Sequence, residues 1–374
     1  MKQCEAWIVR GANKPFERTE VSLDDLRPDE VLVEVTASGI CHMDLEAKDL
    51  VPLPAIFGHE GVGRVTGIGA AVEDVAVGDR VIMTYAACGR CGSCVADAAY
   101  HCEDSWDVTF SGLRADGSPT IFENGQAISA AFFQQSSFGR YAITPARGVV
   151  RVDEDCEIDD TLLAALPCGV LTGAGVVARQ FAFTGGEELA VFGVGAVGLS
   201  AVMAARKLGA KSILAVDVKP SRLALARELG ATHVINPAQE ADSVASIKRN
   251  FPRGLPFVID TSGNATAFHS ATRILRTGGR LAVCILPSPM EEFQFKPFDL
   301  FVRAATMEAV SFGNADAREF LPHLLSWYAA GEFPVDRIVT VFPFSQLNEA
   351  VEAAIGGEAI KPVLDFISVA SKVS

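Results

Sequence analysis

The feature that most constrains the fold is a regular alternation of apolar and helix-like segments after residue 173. The apolar runs occupy residues 189–192, 212–216, 233–236, 257–260 and 280–285, and helix-like segments occupy 196–208 and 220–229. Strands separated by helices at this spacing predict a parallel, doubly wound α/β sheet, since a crossover helix is the usual connection between parallel strands. We therefore predict a Rossmann-type domain over residues 171–310.

A glycine-rich turn joins the first of these strands to the first helix. It reads Gly193-Val194-Gly195-Ala196-Val197-Gly198, and Asp217 ends the second strand. Such glycines allow a tight turn and close approach of a pyrophosphate, the helix N-terminus attracts the anion, and the carboxylate binds ribose hydroxyls. Asp217 would repel a 2′-phosphate, and Val218 supplies no arginine to accept one. The turn therefore predicts binding of NAD rather than NADP.

The first part of the chain has the composition of a β-rich domain. Residues 30–37 alternate as a half-buried strand does, and 61–72 and 78–83 indicate further strands. Residues 112–140 form a long polar excursion that ends in an aromatic run. After residue 311 the strand–helix alternation stops, and a helix near 318–330 and a strand near 337–342 follow. We predict that residues 1–170 and 311–374 form one domain.

Four cysteines lie close together in the sequence of this first domain. They are Cys88, Cys91, Cys94 and Cys102, interleaved with Gly89 and Gly92. Thiolates two residues apart can face one ion when glycines permit tight turns, so the spacing predicts tetrahedral structural zinc. An iron–sulfur cluster is the alternative, but the proline-marked run that normally brings its fourth ligand is absent.

Composition narrows the class of protein. The chain has 374 residues, with 49% hydrophobic and 21% charged side chains, so it can bury the cores of two domains. Its net charge of −14 argues against general binding to nucleic acid or anionic membranes. Nine cysteines, an odd number, make a disulfide framework the weaker interpretation. With no transmembrane stretch and no signal-peptide core, we expect a soluble protein of the cytoplasm.

The chain resembles the zinc-dependent medium-chain alcohol dehydrogenases from end to end. The run Gly58-His59-Glu60 with Gly63, Gly69 and Val72 matches the family's zinc signature, and the four-cysteine segment, the glycine-rich turn and Cys168 occur in family order. Segments 39–42, 132–138, 169–175 and 228–236 resemble the aryl (benzyl) and terpenyl alcohol dehydrogenases in particular. The resemblance implies a GroES-like β-rich catalytic domain beside the Rossmann domain.

The resemblance also implies site residues. Cys41, His59 and Cys168 would bind a catalytic zinc, making two zinc ions per chain, with Glu60 close behind the metal and Asp44 holding the His59 ring. Thr172 would face the nicotinamide, Arg222 the adenosine ribose and Lys361 the pyrophosphate, and His42 takes the place of a basic residue near the pyrophosphate. Substrate-pocket candidates are Phe110, Phe132, Phe133, Phe293 and Phe295.

One position departs from the family pattern. Most relatives carry Ser or Thr two residues after the first zinc cysteine, where the hydroxyl relays the alcohol proton, but this chain has Met43. The next relay position in many relatives holds histidine, and here it is Glu46. Methionine cannot usefully donate or accept a proton. Either a water molecule or His42 takes over the relay, or turnover is slow, or the natural reaction is not simple alcohol oxidation.

The function expected is hydride transfer between NAD and a primary aromatic or allylic alcohol or aldehyde, in a homodimer or a tetramer. Three alternatives remain at this point. One is an NAD(H)-dependent reductase of an unsaturated, non-alcohol substrate. The second is thiol-dependent formaldehyde oxidation, which needs a polar pocket that 23 phenylalanines disfavour. The third is a redox-silent NAD-binding protein. The complete set of zinc ligands disfavours this alternative.

Overall fold

The computed structural model describes residues 2–285 and 295–367, and the chain divides into two compact units. The first unit comprises Met1–Cys168, Asp316–Leu321 and Val335–Ser374. The second comprises Gly169–Ala315 and Pro322–Pro334.

The strands and helices are numbered in chain order. The first ten strands are β1 (Gln3–Val9), β2 (Glu17–Leu23), β3 (Glu30–Gly39), β4 (Ala55–Ile56), β5 (Gly61–Ile68), β6 (Arg80–Met83), β7 (Ile121–Glu123), β8 (Gln126–Ile128), β9 (Tyr141–Pro145) and β10 (Val149–Arg151). The others are β11 (Glu188–Phe192), β12 (Ser212–Val216), β13 (His233–Ile235), β14 (Leu255–Asp260), β15 (Leu275–Val283), β16 (Thr306–Ala309), β17 (Val339–Pro343) and β18 (Lys361–Asp365). The helices are α1 (Met43–Glu46), α2 (Gly92–Val95), α3 (Ser105–Phe110), α4 (Asp160–Leu163), α5 (Leu171–Gly175), α6 (Ala196–Lys207), α7 (Pro220–Leu229), α8 (Ser243–Asn250), α9 (Ala265–Arg273), α10 (Pro297–Phe301), α11 (Ala317–Ala329) and α12 (Leu347–Gly356).

The first unit is built on two sheets. One has the strand order β4-β1-β2-β7-β8, and the other has β10-β6-β5-β3-β18-β17 with β9 also paired to β3. Strand β3 alternates buried and more exposed residues in its first half, as the sequence predicts. The late strand β18 pairs antiparallel with β3, with Val363 opposite Gly39. Residues near the end of the chain thus contribute to the same sheet as the segment that leads into Cys41.

The second unit contains a six-stranded parallel sheet with the order β13-β12-β11-β14-β15-β16. Five of these strands, β11 to β15, lie where the sequence predicts them, and the α/β fold class is confirmed. Their buried side chains, among them Phe192, Leu214 and Leu281, form one apolar core with Ile247 and Phe268 from helices α8 and α9. Because these side chains are buried, the strands can be recognised in the sequence as apolar runs.

Some elements carry no clear signal in the sequence. Strand β16 lies at the edge of the parallel sheet, its residues are largely exposed, and it includes Glu308, so no apolar run marks it. Inside the polar excursion, β7 and β8 form a short antiparallel hairpin turned by Asn124 and Gly125, both at positive φ. In residues 2–285 and 295–367, no helix combines the length and apolar character needed to cross a bilayer.

Candidate metal centres and cofactor site

Four side chains of the first unit converge in a cluster in which His59 and Glu60 are buried and Cys41 and Cys168 are partly exposed. Ligand atoms of Cys41, His59, Glu60 and Cys168 all lie within 4.8 Å of one another. Cys41 Sγ is 3.8 Å from Cys168 Sγ, and His59 Nε2 is 3.3 Å from Cys168 Sγ. Cys41 follows the end of β3, His59 and Glu60 precede β5, and Cys168 lies in a π-helical turn over Leu166–Val170. The sheet of the first unit therefore brings the three predicted catalytic ligands together.

Asp44 holds this cluster from the side away from the thiols. One oxygen of its fully buried carboxylate lies 2.8 Å from His59 Nδ1 and accepts a hydrogen bond from Gly58 N at 3.0 Å. The other accepts from Cys41 N at 2.8 Å. Asp44 thus fixes the imidazole with Nε2 facing the thiols, as a carboxylate behind a metal-binding histidine does.

Electrostatics within the cluster favour the metal-binding form of Cys41 alone, since the hydrogen bond with Cys41, together with burial, raises the pKa of Cys168, and the pKa of His59 is raised as well. A hydrogen bond from the Cys168 thiol, against the effect of burial, lowers the pKa of Cys41 well below its usual value. Burial works to lower the pKa of His59, but the charge and hydrogen bond of Asp44 together raise it well above its usual value. Thiolate is the form of cysteine that binds a metal.

Glu60 and Lys361 form a buried ion pair beside the cluster, with the two side chains 0% and 2% exposed. Burial raises the pKa of Glu60 to about 7, against the opposing charge of Lys361. Burial opposes protonation of Lys361, but the charges of Glu60, Cys41 and Cys168 together outweigh it, and the pKa of Lys361 is raised. A Cβ on Gly39 would collide with the Glu60 carboxylate, so glycine is required there. Contact of Lys361 with a pyrophosphate stays a prediction.

The cluster of Cys41, His59, Glu60 and Cys168 fits a zinc ion. It offers two sulfurs, one imidazole nitrogen and a carboxylate, which is the donor chemistry zinc prefers. Glu60 Oε1 is buried and has no hydrogen-bond partner among the described residues. A buried carboxylate oxygen without a partner is costly, so a cation close to it would relieve that cost.

Aromatic rings cover His59. Phe133 stacks on the imidazole with ring centroids 4.4 Å apart and an interplanar angle of 19°. Phe132 meets His59 edge-on at 5.5 Å and is fully buried, so it belongs to the core. Phe110 reaches both Phe132 and Phe133, with centroids 6.3 and 6.4 Å away. Of the other pocket candidates, Phe295 packs against Phe268 in the second unit, and Phe293 lies outside the described residues.

The four cysteines of the predicted structural site also come together. The Sγ atoms of Cys88, Cys91, Cys94 and Cys102 lie within 4.8 Å of one another. Backbone N–H groups point at the sulfurs: Cys91 Sγ accepts from Cys94 N at 3.5 Å and from Glu103 N at 3.4 Å. The donation by Glu103 N is the main reason that the pKa of Cys91 is lowered to about 7. These donors favour the thiolate of Cys91, and the four converging sulfurs fit tetrahedral zinc.

The glycine-rich turn of the second unit lies between β11 and α6. Gly193 has φ +80°, and a Cβ on Gly198 would collide with the Gly193 carbonyl. Asp217 accepts from Val194 N and Lys219 N, each at 2.8 Å. The buried Nε of Arg222, in the first turn of α7, has no hydrogen-bond partner among the described residues. Thr172 lies on α5 and is 7% exposed. The turn, the carboxylate and the open guanidinium donor fit a dinucleotide.

Comparison with known proteins decides the family. The zinc-binding dehydrogenase model matches residues 196–329, and the alcohol dehydrogenase GroES-like domain model matches residues 27–154. Geraniol dehydrogenase of Castellaniella defragrans is 37% identical over 365 residues, which cover 97% of each chain. The chain belongs to the zinc-dependent medium-chain alcohol dehydrogenase family. It is an oxidoreductase of the zinc alcohol dehydrogenase type, with a GroES-like domain and a Rossmann-like domain.

Two solved structures of this family are similar over nearly the whole chain. Benzyl alcohol dehydrogenase from Acinetobacter calcoaceticus has a TM-score of 0.92 at 35% identity, with coverage of 98% of this chain and 99% of that one. An alcohol dehydrogenase zinc-binding domain protein from Burkholderia ambifaria has a TM-score of 0.93 at 38% identity, with coverage of 97% and 99%.

Met43 occupies the position at which most relatives are expected to carry a Ser or Thr hydroxyl. Met43 begins α1, directly after the exposed His42. His42 Nε2 lies 3.7 Å from Glu46 Oε1. Burial raises the pKa of Glu46, and the charge of His42 opposes it. His42, at the N-cap of α1, and Glu46, at its last residue, can therefore form an ion pair when the imidazole is protonated.

Gln135 is a residue of the site to which the sequence assigns no role. Its buried amide bonds to the backbone of His59 and Gly61. No motif or residue spacing in the sequence marks Gln135 as a contact of His59. Only the folded structure shows this contact.

Proposed function

We propose that this chain is an NAD-dependent zinc alcohol dehydrogenase acting on primary aromatic or allylic alcohols and the matching aldehydes. The observation that carries the proposal is the Cys41–His59–Cys168 cluster with Phe133 stacked on its imidazole. The names of the two similar proteins, a geraniol and a benzyl alcohol dehydrogenase, support the same substrate class.

Each unit has its own part in this reaction. Cys41, His59 and Cys168 would hold the catalytic zinc, which supplies Lewis acidity that makes an alcohol proton easier to lose. The turn over 193–198 would bind the NAD pyrophosphate, and Asp217 the adenosine ribose. The proposed catalytic domain comprises residues 1–170 and 311–374, and the proposed NAD-binding domain comprises 171–310. Within 311–374, Pro322–Pro334 group with the second compact unit rather than the first.

The reaction must balance a hydride and a proton. The carbinol carbon gives its hydride to NAD, the alcohol oxygen gives up its proton, and the products are aldehyde, NADH and one proton. Because Met43 cannot relay the proton, His42 or a water molecule would take it toward solvent, with Glu46 stabilising the protonated imidazole. Phe133 would provide an apolar surface on which an aromatic ring or allylic chain gains about 25 cal/mol per Å² buried.

Initial-rate measurements with the zinc-loaded protein test this function. NADH formation is followed at equal concentrations of benzyl alcohol, geraniol and ethanol, with NADP in place of NAD as a control. We expect turnover of the two bulky alcohols to exceed that of ethanol. Turnover of ethanol alone, or of NADP in preference to NAD, would refute the proposal.

A second candidate is supported by Met43. A site without a relay hydroxyl still suits hydride delivery to an unsaturated carbon, so reduction of an unsaturated non-alcohol substrate by NADH is the alternative. Silence with all three alcohols, together with NADH oxidation by an unsaturated aldehyde or ketone, would favour it. Turnover of formaldehyde only in the presence of a thiol such as glutathione would instead favour thiol-dependent formaldehyde oxidation.

We also propose a homodimer and a cytoplasmic setting. Strand β16 ends the parallel sheet with one side open among the described strands, and Met307 on it is 38% exposed, so a second copy could pair there. All nine cysteines are free thiols, which suits a reducing compartment. Light scattering during gel filtration would measure the mass against the 39.6 kDa of one chain. A dimer or a tetramer is expected, and a monomer would refute this assembly.

A further inference from the structure

A single turn of the first unit, residues 132–138, packs along the segment that carries His59. Three of its non-glycine residues, Phe133, Gln134 and Ser136, have φ values of +50°, +55° and +50°. Side chains with a Cβ rarely adopt this conformation, so neighbouring contacts must hold the turn in place. We refer to residues 132–138 as the histidine-supporting turn.

The backbone of the turn is bonded to the chain just before His59. Ser137 N donates to Gly58 O at 2.9 Å, and Phe138 N donates to Phe57 O at 2.9 Å. Gly58 has φ +92°, and a Cβ on it would come within 2.5 Å of the Phe138 ring. The close approach of the two segments therefore depends on glycine at position 58.

Gln135 extends these contacts past His59. Its side chain is 1% exposed, and its Nε2 donates to His59 O and to Thr84 O, both at 2.9 Å. Its Oε1 accepts from Gly61 N at 3.2 Å. The amide thus bonds to the backbone on both sides of Glu60, and the three partners fix which end is oxygen and which is nitrogen.

We propose that Gln135 is a positioning residue for the metal site, acting through the backbone of His59, Glu60 and Gly61. Asp44 orients the imidazole ring through its Nδ1. Gln135 instead fixes the position of the backbone that carries the imidazole and the Glu60 carboxylate. Phe133, two residues earlier, restrains the imidazole face. The proposal rests on the proposed function only in its kinetic part, since metal binding can be measured without a substrate.

The test compares Gln135→Met with Thr120→Val in the full-length protein. Met preserves the length of the side chain but removes all three hydrogen bonds. Thr120, 2% exposed, donates one buried hydrogen bond to Ala130 O at 2.7 Å within the same excursion and touches no residue of the cluster in the contacts above. Zinc content is followed against a chelator, and Co(II) is substituted to record the ligand-field bands that report thiolate and imidazole geometry.

We expect Gln135→Met to lower the affinity of the catalytic zinc about 10- to 100-fold, as loss of a supporting contact typically does. The four-cysteine zinc should be retained, the Co(II) bands of the catalytic site should shift, and kcat should fall more than KM changes. Thr120→Val should lower the melting temperature while leaving zinc affinity and the Co(II) bands as in the parent protein.

Equal zinc affinity and unchanged Co(II) bands in Gln135→Met, with only a lower melting temperature, would show a merely structural role and overturn the proposal. If that variant does not fold, Gln135→Glu replaces it, because it keeps the acceptor for Gly61 N and loses the amide donor. Failure of the parent protein to oxidise any alcohol would refute the proposed function, while the metal-binding comparison would still decide the role of Gln135.

Discussion

Asp44 and His59 form a buried pair in which a carboxylate oxygen lies 2.8 Å from Nδ1 of the imidazole, with the side chains 0% and 1% exposed. The same carboxylate accepts from the backbone N–H of Cys41, so one side chain orients two of the predicted zinc ligands. Asp44 thus contacts the predicted zinc ligands and is not itself one of the four side chains whose ligand atoms converge.

Replacing Asp44 with Asn should weaken the catalytic zinc site. The amide is the same size but lacks the negative charge that stabilises the imidazole, so we expect zinc affinity to fall about 10- to 100-fold. Chelator competition followed by metal analysis measures this, with one zinc ion per chain retained in the four-cysteine site. Asp217→Asn, the same chemical change in the second unit, is the control, and equal zinc affinity in the two variants would contradict the prediction.

Replacing Cys91 with Ser should remove the structural zinc. Cys91 Sγ is one of four converging sulfurs, and a hydroxyl is a poor replacement for a thiolate ligand. We expect the zinc content to fall from two ions to one and the free energy of unfolding to fall by more than about 2 kcal/mol. Metal analysis and chemical unfolding measure the two effects. Cys156→Ser, at a cysteine outside both clusters, should change neither quantity, and a full zinc content in Cys91→Ser would refute the assignment.

Replacing Asp217 with Ser should shift the preference for the cofactor. A hydrogen bond to a charged group contributes about 1.5–3 kcal/mol, which corresponds to about 10- to 100-fold in kcat/KM for NAD. Removal of the negative charge should at the same time raise kcat/KM for NADP. Steady-state kinetics with both cofactors give the ratio, and Asp260→Ser, at the end of strand β14 in the same parallel sheet, tests for a general effect on the sheet. An unchanged ratio would rule out Asp217 as the selecting residue.

Replacing Met43 with Thr should restore a proton relay. A hydroxyl at this position can pass the alcohol proton toward His42, so we expect kcat for alcohol oxidation to rise by up to about 100-fold. The rate is measured as a function of pH, with Met43→Leu as a control for side-chain volume. No gain in Met43→Thr would mean that proton transfer at this position does not limit the reaction.

Replacing Glu123 with Gln should change how stability depends on pH. The hydrogen bond from the Arg10 guanidinium lowers the pKa of Glu123, burial opposes it with a smaller effect, and the Thr19 hydroxyl adds a further lowering. Because the pKa is lower in the folded state, this stabilisation is fully present above the unfolded value, about 4.3, and is lost as the pH falls through the folded value.

The expected difference is at most about 1 kcal/mol, since Arg10 is 41% exposed and the pair is screened by solvent. Unfolding at several pH values should show a loss of stability in Glu123→Gln at pH 7 that vanishes at strongly acidic pH. A difference that is constant with pH would mean that the charge of Glu123 has no part in it.

Features encoded within short stretches of sequence could be predicted from the sequence alone. The parallel sheet of the second unit follows from apolar runs such as 189–192, since burial on both faces leaves that pattern. The convergence of Cys88 and Cys102 follows likewise, because ligands a few residues apart need only local turns to face one ion. The glycine-rich turn is local for the same reason.

The tertiary structure alone decided how distant residues meet. Cys41 and Cys168 are 127 positions apart, and Glu60 and Lys361 are 301 apart, so only strand register and the pairing of β18 with β3 can set those distances. Gln135 likewise reaches His59 from 76 positions away through a left-handed turn. Spacing along the chain carries no information about such contacts, because their geometry depends on the packing of the whole first unit.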